Sequence, residues 1–382
     1  MLGPYVAKEY ASKRIIEYTG NKVYKTIRNV QTYNFDAVIL EKRLSALVEK
    51  EEFYHLHKID NAVFFAAIEY FKKIGAEWCN LPLTTLMISS PGEIYGGQTL
   101  EYTTDTLPVE LTWFKNERSI FLSESSQFYL ELRLLIDKVD KVFSIYNSFR
   151  KEKTDFSHLS EFQHIEFEGH ISLKENIDIA LGLLRYVTNY ILKNNFENLL
   201  FFLGKKDIDF LSNAFESNNV QTLSFKEALE IIYKQTGDSI YQKFTLEHFG
   251  AWEEILLTNI LGKHVILTEF PLLQIPFYHK QAAKTKNDVA LAENADFILY
   301  GYREVIGAGA RITDADSLAQ KAKIFNLPLA DYEPYLQTRS FKNYKNTAGF
   351  GMGWQRYTHW LLKLPFIWEA SHIPRGHHLP KP

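Results

Sequence analysis

The segment running from Phe162 to His170 places a row of ionisable side chains at alternate positions. In an extended strand alternate residues share a face, so Phe162, His164, Glu166, Glu168 and His170 point one way, and Ile165, Phe167 and Ile171 the other. Such a row is either a solvated sheet face or the floor of a polar cleft, and spacing alone does not choose. Just upstream stand Arg150 and Glu152, where a strand-like run gives way to a loop. An arginine there presents a planar fork suited to a phosphate or carboxylate; a surface ion pair is the simpler account. Further on, Gly349-Phe350-Gly351-Met352-Gly353-Trp354-Gln355-Arg356 sets three glycines ahead of a helix, which permits tight turns and close strand–helix packing. Arg356 falls in the first helical turn, where the macrodipole disfavours a cation, so an anionic ligand is implied. The glycine spacing by itself is a weak signal. Asp296 and Glu304 bracket another strand-like run, followed by Gly307, Gly309 and Arg311. Two carboxylates beside phosphate-directed arginines suit Mg2+, a hard ion that prefers oxygen ligands.

The elements that must hold these groups are readable from hydrophobic period. Residues 1–58 are mixed, with a short basic stretch (Lys22, Lys25, Arg28) ahead of a helical pattern. Asp60 is placed to cap a helix whose apolar positions Val63, Phe64, Ala67, Tyr70 and Phe71 recur at helical spacing and which Gly75 ends. A strand carrying Pro82 follows. The runs at 141–150 and 162–172 read as two antiparallel strands joined by a polar loop. Helices are expected over Asn176–Lys193 and Lys226–Lys234, then strands at 264–270 and 295–309, and a last helix after the glycines. Strands and helices are segregated rather than alternating, which predicts an α+β fold with an antiparallel sheet flanked by helices.

Bulk properties agree with a globular protein. The 382 residues are 46% hydrophobic and 23% charged, with 28 Phe and 22 Tyr promising an aromatic-rich core. A formal charge of −3 gives no global attraction to nucleic acid. A single cysteine, Cys79, forbids an internal disulfide and fits a reducing compartment. The start of the chain has no apolar signal core, and no apolar run is long enough to span a bilayer, so a cytoplasmic location is expected.

Taken in order, these segments resemble the three signature motifs of class II aminoacyl-tRNA synthetases. Motif 1, a long helix and a strand with a proline, is similar to residues 61–82. Motif 2, F-R-x-E, a loop and H-x-x-E-F, is similar to Phe149–Glu152 and His158–Phe162. Motif 3, G-x-G-x-G-x-x-R, is similar to Gly349–Arg356. Within the class the asparaginyl type looks closest: its S-G-Q-x-x-x-E segment resembles Ser125–Glu131, and its E-F-x-x-x-E-x-E strand resembles Glu161–Glu168. Its D…G-E-I-I-G-G-S-Q-R-E segment resembles Asp296 and Glu304–Arg311. Departures are as plain. Only about 58 residues precede motif 1, short for that family's anticodon-binding barrel. Ser89-Ser90-Pro91-Gly92 stands where the family has D-C-E-G, Gln355 replaces a Glu, Thr347 a His, Ile312 a Glu, and Ser157 the basic residue before His158.

The resemblance implies roles. Arg150 would hold the ATP α-phosphate and Arg356 the γ-phosphate; Glu152 would meet the adenine amino edge and Phe162 stack on the ring. His158, Gly351 and Gly353 would complete the nucleotide site, and Asp296 and Glu304 would carry Mg2+. Gln127, Glu131, Glu166 and Arg311 would read the acid substrate, with Glu131 accepting from a side-chain amide and Arg311 donating to its carbonyl. The expected organisation is an N-terminal extension over 1–58 and a catalytic domain over 59–382, with a helical insertion at about 174–262. The expected activity is activation of an amino acid or related carboxylic acid as its adenylate, then transfer to ammonia or a small amine. The alternatives are an asparaginyl-type ligase acting on tRNA or a carrier, and a non-catalytic nucleotide-binding relative. A homodimer through the motif 1 segment is expected, with no membrane partner.

Overall fold

The computed structural model describes residues 4–10, 13–18, 42–89, 107–114, 119–152, 154–244, 249–286 and 289–377. The basic stretch at Lys22, Lys25 and Arg28 and the Ser90-Pro91-Gly92 segment lie outside them.

Strands β1 (Tyr5–Tyr10) and β2 (Lys13–Tyr18) pair antiparallel, with Tyr5 opposite Tyr18. Helices α1 (Arg43–Glu49) and α2 (Glu52–Lys73) follow. Asp60 does not begin a helix. Phe53, Leu56 and Ile59 extend the buried stripe of Val63, Ala67 and Phe71 backwards, so α2 runs unbroken through it. The Asp60 carboxylate instead accepts from Trp354 Nε1 (3.1 Å) and lies 3.4 Å from His372. The division expected after residue 58 therefore falls inside a helix.

The strand expected around Pro82 shrinks to β3 (Glu77–Trp78), ahead of a three-stranded sheet of β4 (Thr84–Thr85), β5 (Val109–Leu111) and β6 (Ile120–Leu122). Helix α3 (Gln127–Arg133) leads to β7 (Lys141–Phe149) and β8 (Glu161–Gly169). Next come α4 (Leu173–Asn194), α5 (Phe196–Phe202), α6 (Lys205–Leu211), β9 (Val220–Ser224), α7 (Phe225–Thr236) and α8 (Ala251–Leu261). α4 and α7 each start at a capping box, Ser172 with Glu175 and Ser224 with Glu227. The expected helical insertion thus contains a strand. β10 (His264–Thr268), β11 (Gln281–Lys286), β12 (Val289–Ala292), β13 (Asn294–Ile298) and β14 (Glu304–Ala310) precede α9 (Ala315–Ile324) and α10 (Leu329–Leu336). β15 (Ala348–Gly353) and α11 (Trp354–Leu361) complete the site-bearing part.

The central sheet has eight strands in the order β3-β7-β8-β15-β14-β13-β10-β9. The stretch from β7 to β10 is antiparallel throughout, as expected, whereas β3 joins β7, and β9 joins β10, in parallel. The sheet is therefore mixed, because each parallel edge pair is joined by a long crossover rather than a hairpin. One face is sealed by α2 and α4: Phe71 stacks on Phe143 and Phe167, and Phe167 on Phe350, within one continuous apolar core. The opposite face carries the polar row. A second apolar cluster, with Phe128, Phe277, Tyr278, Tyr332 and Tyr335, backs it from α3, α9 and α10.

Candidate active site

Register explains the three glycines. β15 lies beside β8 with Gly349 opposite Glu168, Gly351 opposite Glu166 and Gly353 opposite His164. All three belong to the strand, not to a turn before the helix as the sequence suggested. A Cβ on Gly349 would sit 1.9 Å from Glu168 Oε2, and one on Gly351 would sit 3.1 Å from Glu166 Oε1. The absent side chains make room for the Glu166 and Glu168 carboxylates, which with His164 form a polar floor on this face of the sheet. That floor is not solvated: Glu166 and Glu168 are buried.

Each floor residue has a distinct environment. Glu168 receives Arg311 in bidentate fashion, Nε at 3.0 Å and Nη2 at 2.8 Å, and also accepts from Gln127 Nε2. Arg311 comes from the end of β14 and lies over the Tyr278 ring, with His279 Nε2 3.3 Å from Nη1. Gln127 and Arg311, both expected at the substrate, thus converge on one carboxylate. Glu166 accepts from Ser125 Oγ (2.7 Å), while its Oε2 is buried without a hydrogen-bond partner. Burial pushes Glu166 up to about 7, although hydrogen bonds from Tyr146 and Ser125 oppose the rise. His164 bonds Ser148 Oγ at 2.8 Å; burial, and then the charges of Arg150 and Arg356, hold it well below the ordinary imidazole range. Both arginines therefore act at the same end of the floor.

Glu131 is placed differently from expectation. Its carboxylate is buried and already taken up by Arg339 Nη2 (2.8 Å) and the Tyr335 hydroxyl. It fixes α3 against α10 instead of presenting a free acceptor to substrate.

At the His164 end of the floor, Arg150 leaves β7 with its guanidinium 5.4 Å over the Phe162 ring and 3.9 Å from Glu152. Its Nε is buried without a hydrogen-bond partner. His158 is gripped from both sides, by Asp155 (2.8 Å) and by Arg303 Nη1 (3.2 Å). Arg303 also donates to Ser157 Oγ (2.8 Å) and Glu254 (2.9 Å). Burial raises the Asp155 carboxyl, but His158 and Arg303 outweigh it and keep it well below the carboxylate range. Arg303 escaped the sequence reading; its position beside Glu304 was the available signal. Arg339 and His279 gave none, since both reach the site only through tertiary contacts. Arg356, in the first turn of α11, donates to the Glu304 carbonyl (3.0 Å) and lies 3.8 Å from its carboxylate.

Asp296 and Glu304 lie on adjacent antiparallel strands. Burial first, then the charge of Glu304 and that of Glu254, pushes Asp296 well above its usual range. Mutual repulsion of this kind is what a divalent cation relieves. No group of three or more potential ligands is gathered among the described residues.

An antiparallel sheet with an acidic floor, a glycine-cleared neighbour strand and two arginines at one end is the architecture of the class II synthetases. The overall structure superposes on asparaginyl-tRNA synthetase from Pyrococcus horikoshii complexed with asparaginyl-adenylate, with a TM-score of 0.76 at 22% identity over 98% of this chain and 94% of that one. The family model of tRNA synthetases class II (D, K and N) matches residues 83–377, and the chain belongs to that family. An asparagine–tRNA ligase of Lactobacillus johnsonii is 30% identical over 340 residues, spanning 88% of this chain and 72% of that protein. One of Thermococcus kodakarensis is 30% identical over 286 residues, spanning 74% and 61%. The chain is thus an ATP-dependent ligase of the class II synthetase family. These relatives favour the aminoacyl-tRNA ligase alternative over transfer to ammonia or a small amine, for which they offer no support. No helix among the described residues is long and apolar enough to cross a membrane.

Proposed function

We propose that the protein activates an amino acid with a short amide or carboxylate side chain as its adenylate and transfers it to the 3′-terminal hydroxyl of a tRNA. The observation that carries this reading is the buried floor of His164, Glu166 and Glu168, given room by Gly349 and Gly351 and met at one end by Arg150 and Arg356. Phe162 and Glu152 receive the adenine, Arg150 the α-phosphate, and Arg356 with His158 the outer phosphates. Asp296 and Glu304 hold Mg2+, which when bound neutralises phosphate charge. The free face of Glu166 takes the substrate ammonium, while Arg311, oriented by Glu168 and Gln127, donates to the side-chain carbonyl. Glu131 acts through α3 by holding Gln127 in place.

The substrate carboxylate oxygen attacks the α-phosphorus in line, the bond to the bridging oxygen breaks, and pyrophosphate leaves. Arg150 stabilises charge developing on the α-phosphoryl oxygens. The acceptor hydroxyl then attacks the acyl carbon and AMP departs. We read the chain from α1 onward, together with the docked strands β1 and β2, as one catalytic unit that pairs into a homodimer through α2 and β3. The exposed Trp78, Phe65 and Tyr54 support that pairing.

The test is ATP–pyrophosphate exchange with Mg2+ against asparagine, aspartate and their des-amino analogues, followed by transfer assays with bulk tRNA and with ammonia. Exchange with asparagine or aspartate and transfer to tRNA is the expected result. Exchange with transfer to ammonia alone would replace the acceptor, and absence of exchange with every acid would overturn the reading.

A further inference from the structure

We infer that the β1–β2 pair is a strap that positions the nucleotide half of the site, with Tyr5 as its positioning residue. The inference rests on the ATP site proposed above. Tyr5 is fully buried. Its backbone N–H donates to the Gly301 carbonyl at 2.8 Å, in the turn between β13 and β14, where Gly301 takes a φ of +62° that suits glycine. Its hydroxyl donates to the Pro365 carbonyl at 2.6 Å and lies 3.0 Å from His359 Nε2. Its ring meets Phe156 edge-on at 4.9 Å and stacks on Tyr302 at 6.0 Å.

These neighbours belong to the three elements that deliver the nucleotide-binding groups. Phe156 lies in the β7–β8 loop, between Asp155 and the Ser157-His158 pair. Tyr302 precedes Arg303, which grips His158, and Glu304 comes next. His359 stands one turn beyond Arg356 on α11. A single side chain therefore touches loop, turn and helix at once. The contacts have a fixed polarity. His359 Nε2 lies 2.9 Å from the Leu364 carbonyl and so carries the proton, leaving Nδ1 to accept from the Tyr302 hydroxyl at 2.7 Å. Burial holds His359 down to about 3, so the ring is neutral and this arrangement persists at neutral pH.

The strap is anchored independently of the tyrosine. Asn259 of α8 accepts from the Ala7 N–H (3.1 Å) and donates to the Tyr5 carbonyl (3.2 Å). Arg14 pairs with Glu253 (3.0 Å) and Asp238 (2.9 Å), and covers the Trp252 ring at 4.7 Å. Changing the Tyr5 side chain thus removes the wedge while leaving the strands docked.

The experiment compares the full chain with Tyr5→Phe and Tyr5→Ala. Its readouts are KM for ATP and for the amino acid in pyrophosphate exchange, thermal unfolding, and hydrogen exchange of residues 154–160 and 356–362 without ligand. A positioning role raises KM for ATP by about tenfold in Tyr5→Ala and less in Tyr5→Phe, leaves KM for the amino acid unchanged, and speeds exchange at 154–160. Unchanged exchange at 154–160 in a folded Tyr5→Ala chain would overturn the inference, as would equal rises in both KM values, the signature of general loosening. If Tyr5→Ala fails to fold, the same readouts on Tyr5→Phe decide. If the parent chain shows no ATP-dependent exchange, the ATP-site reading falls, while the hydrogen-exchange comparison still decides whether Tyr5 orders the loop.

Discussion

Glu166 sits where burial and the proposed ammonium-binding role pull in opposite directions. Its folded pKa of about 7 lies above the value of about 4.3 for a free glutamate. Between those values the folded chain keeps a proton that the unfolded chain releases, so ligand-free stability falls as pH rises through this window. A substrate ammonium prefers the ionised form, so amino-acid affinity should climb as pH rises toward 7 and then level off. KM for the amino acid measured across pH tests this, and Glu166→Gln should weaken binding and flatten the profile. Arg150→Ala and Arg356→Ala should each slow exchange by about 10²–10³-fold while leaving the unfolding temperature within a degree or two of the parent; full activity in either would remove the phosphate assignments. The shared face of Glu166 and Glu168 was legible from strand period, and the place of Arg356 in the first turn of a helix from the glycines ahead of it. Glu131 was misread because its partners Arg339 and Tyr335 lie some two hundred residues away, and no local pattern announces a buried ion pair.

At the level of elements, the glycines of β15 do their work through register. Gly349→Ala would thrust a methyl to 1.9 Å from Glu168 Oε2 and 2.4 Å from the Phe167 carbonyl, the latter being backbone that cannot step aside. It should cost about 1–3 kcal/mol, read by chemical denaturation, and should also weaken amino-acid binding by disturbing the Glu168–Arg311 pair. Gly353→Ala meets nothing closer than 3.6 Å and should change stability by no more than about 0.5 kcal/mol. Equal effects at the two positions would refute the cleared-floor account. The sequence could show the glycine spacing but not which strand lay opposite, and so it suggested turns. The start of α2 was missed for a related reason: Asp60 has the chemistry of a cap, yet the stripe of Phe53, Leu56 and Ile59 continues through it, and burial outweighs the local preference of one carboxylate.

For the whole molecule, the homodimer proposal predicts a solution mass twice the 44.5 kDa of one chain by light scattering. Phe65→Glu, on the exposed side of α2, should shift the population to monomer; a parent protein that is already monomeric would reject the interface. The α+β class and its antiparallel centre followed from segregated strands and helices, but the parallel edges did not, because pairing partners far apart in sequence leave no periodic trace. The same distance bears on how the enzyme comes into being. The Tyr5 hydroxyl meets the Pro365 carbonyl across 360 residues, so the strap leaves the ribosome long before α11 exists to receive it. Until then its buried tyrosine has no site to occupy, and the loop it backs has no fixed shape. ATP-binding competence should therefore arrive late and all at once during synthesis, as expected where long-range contacts dominate; nascent chains stalled ahead of α11 should remain unable to retain ATP, however much of the sheet they contain.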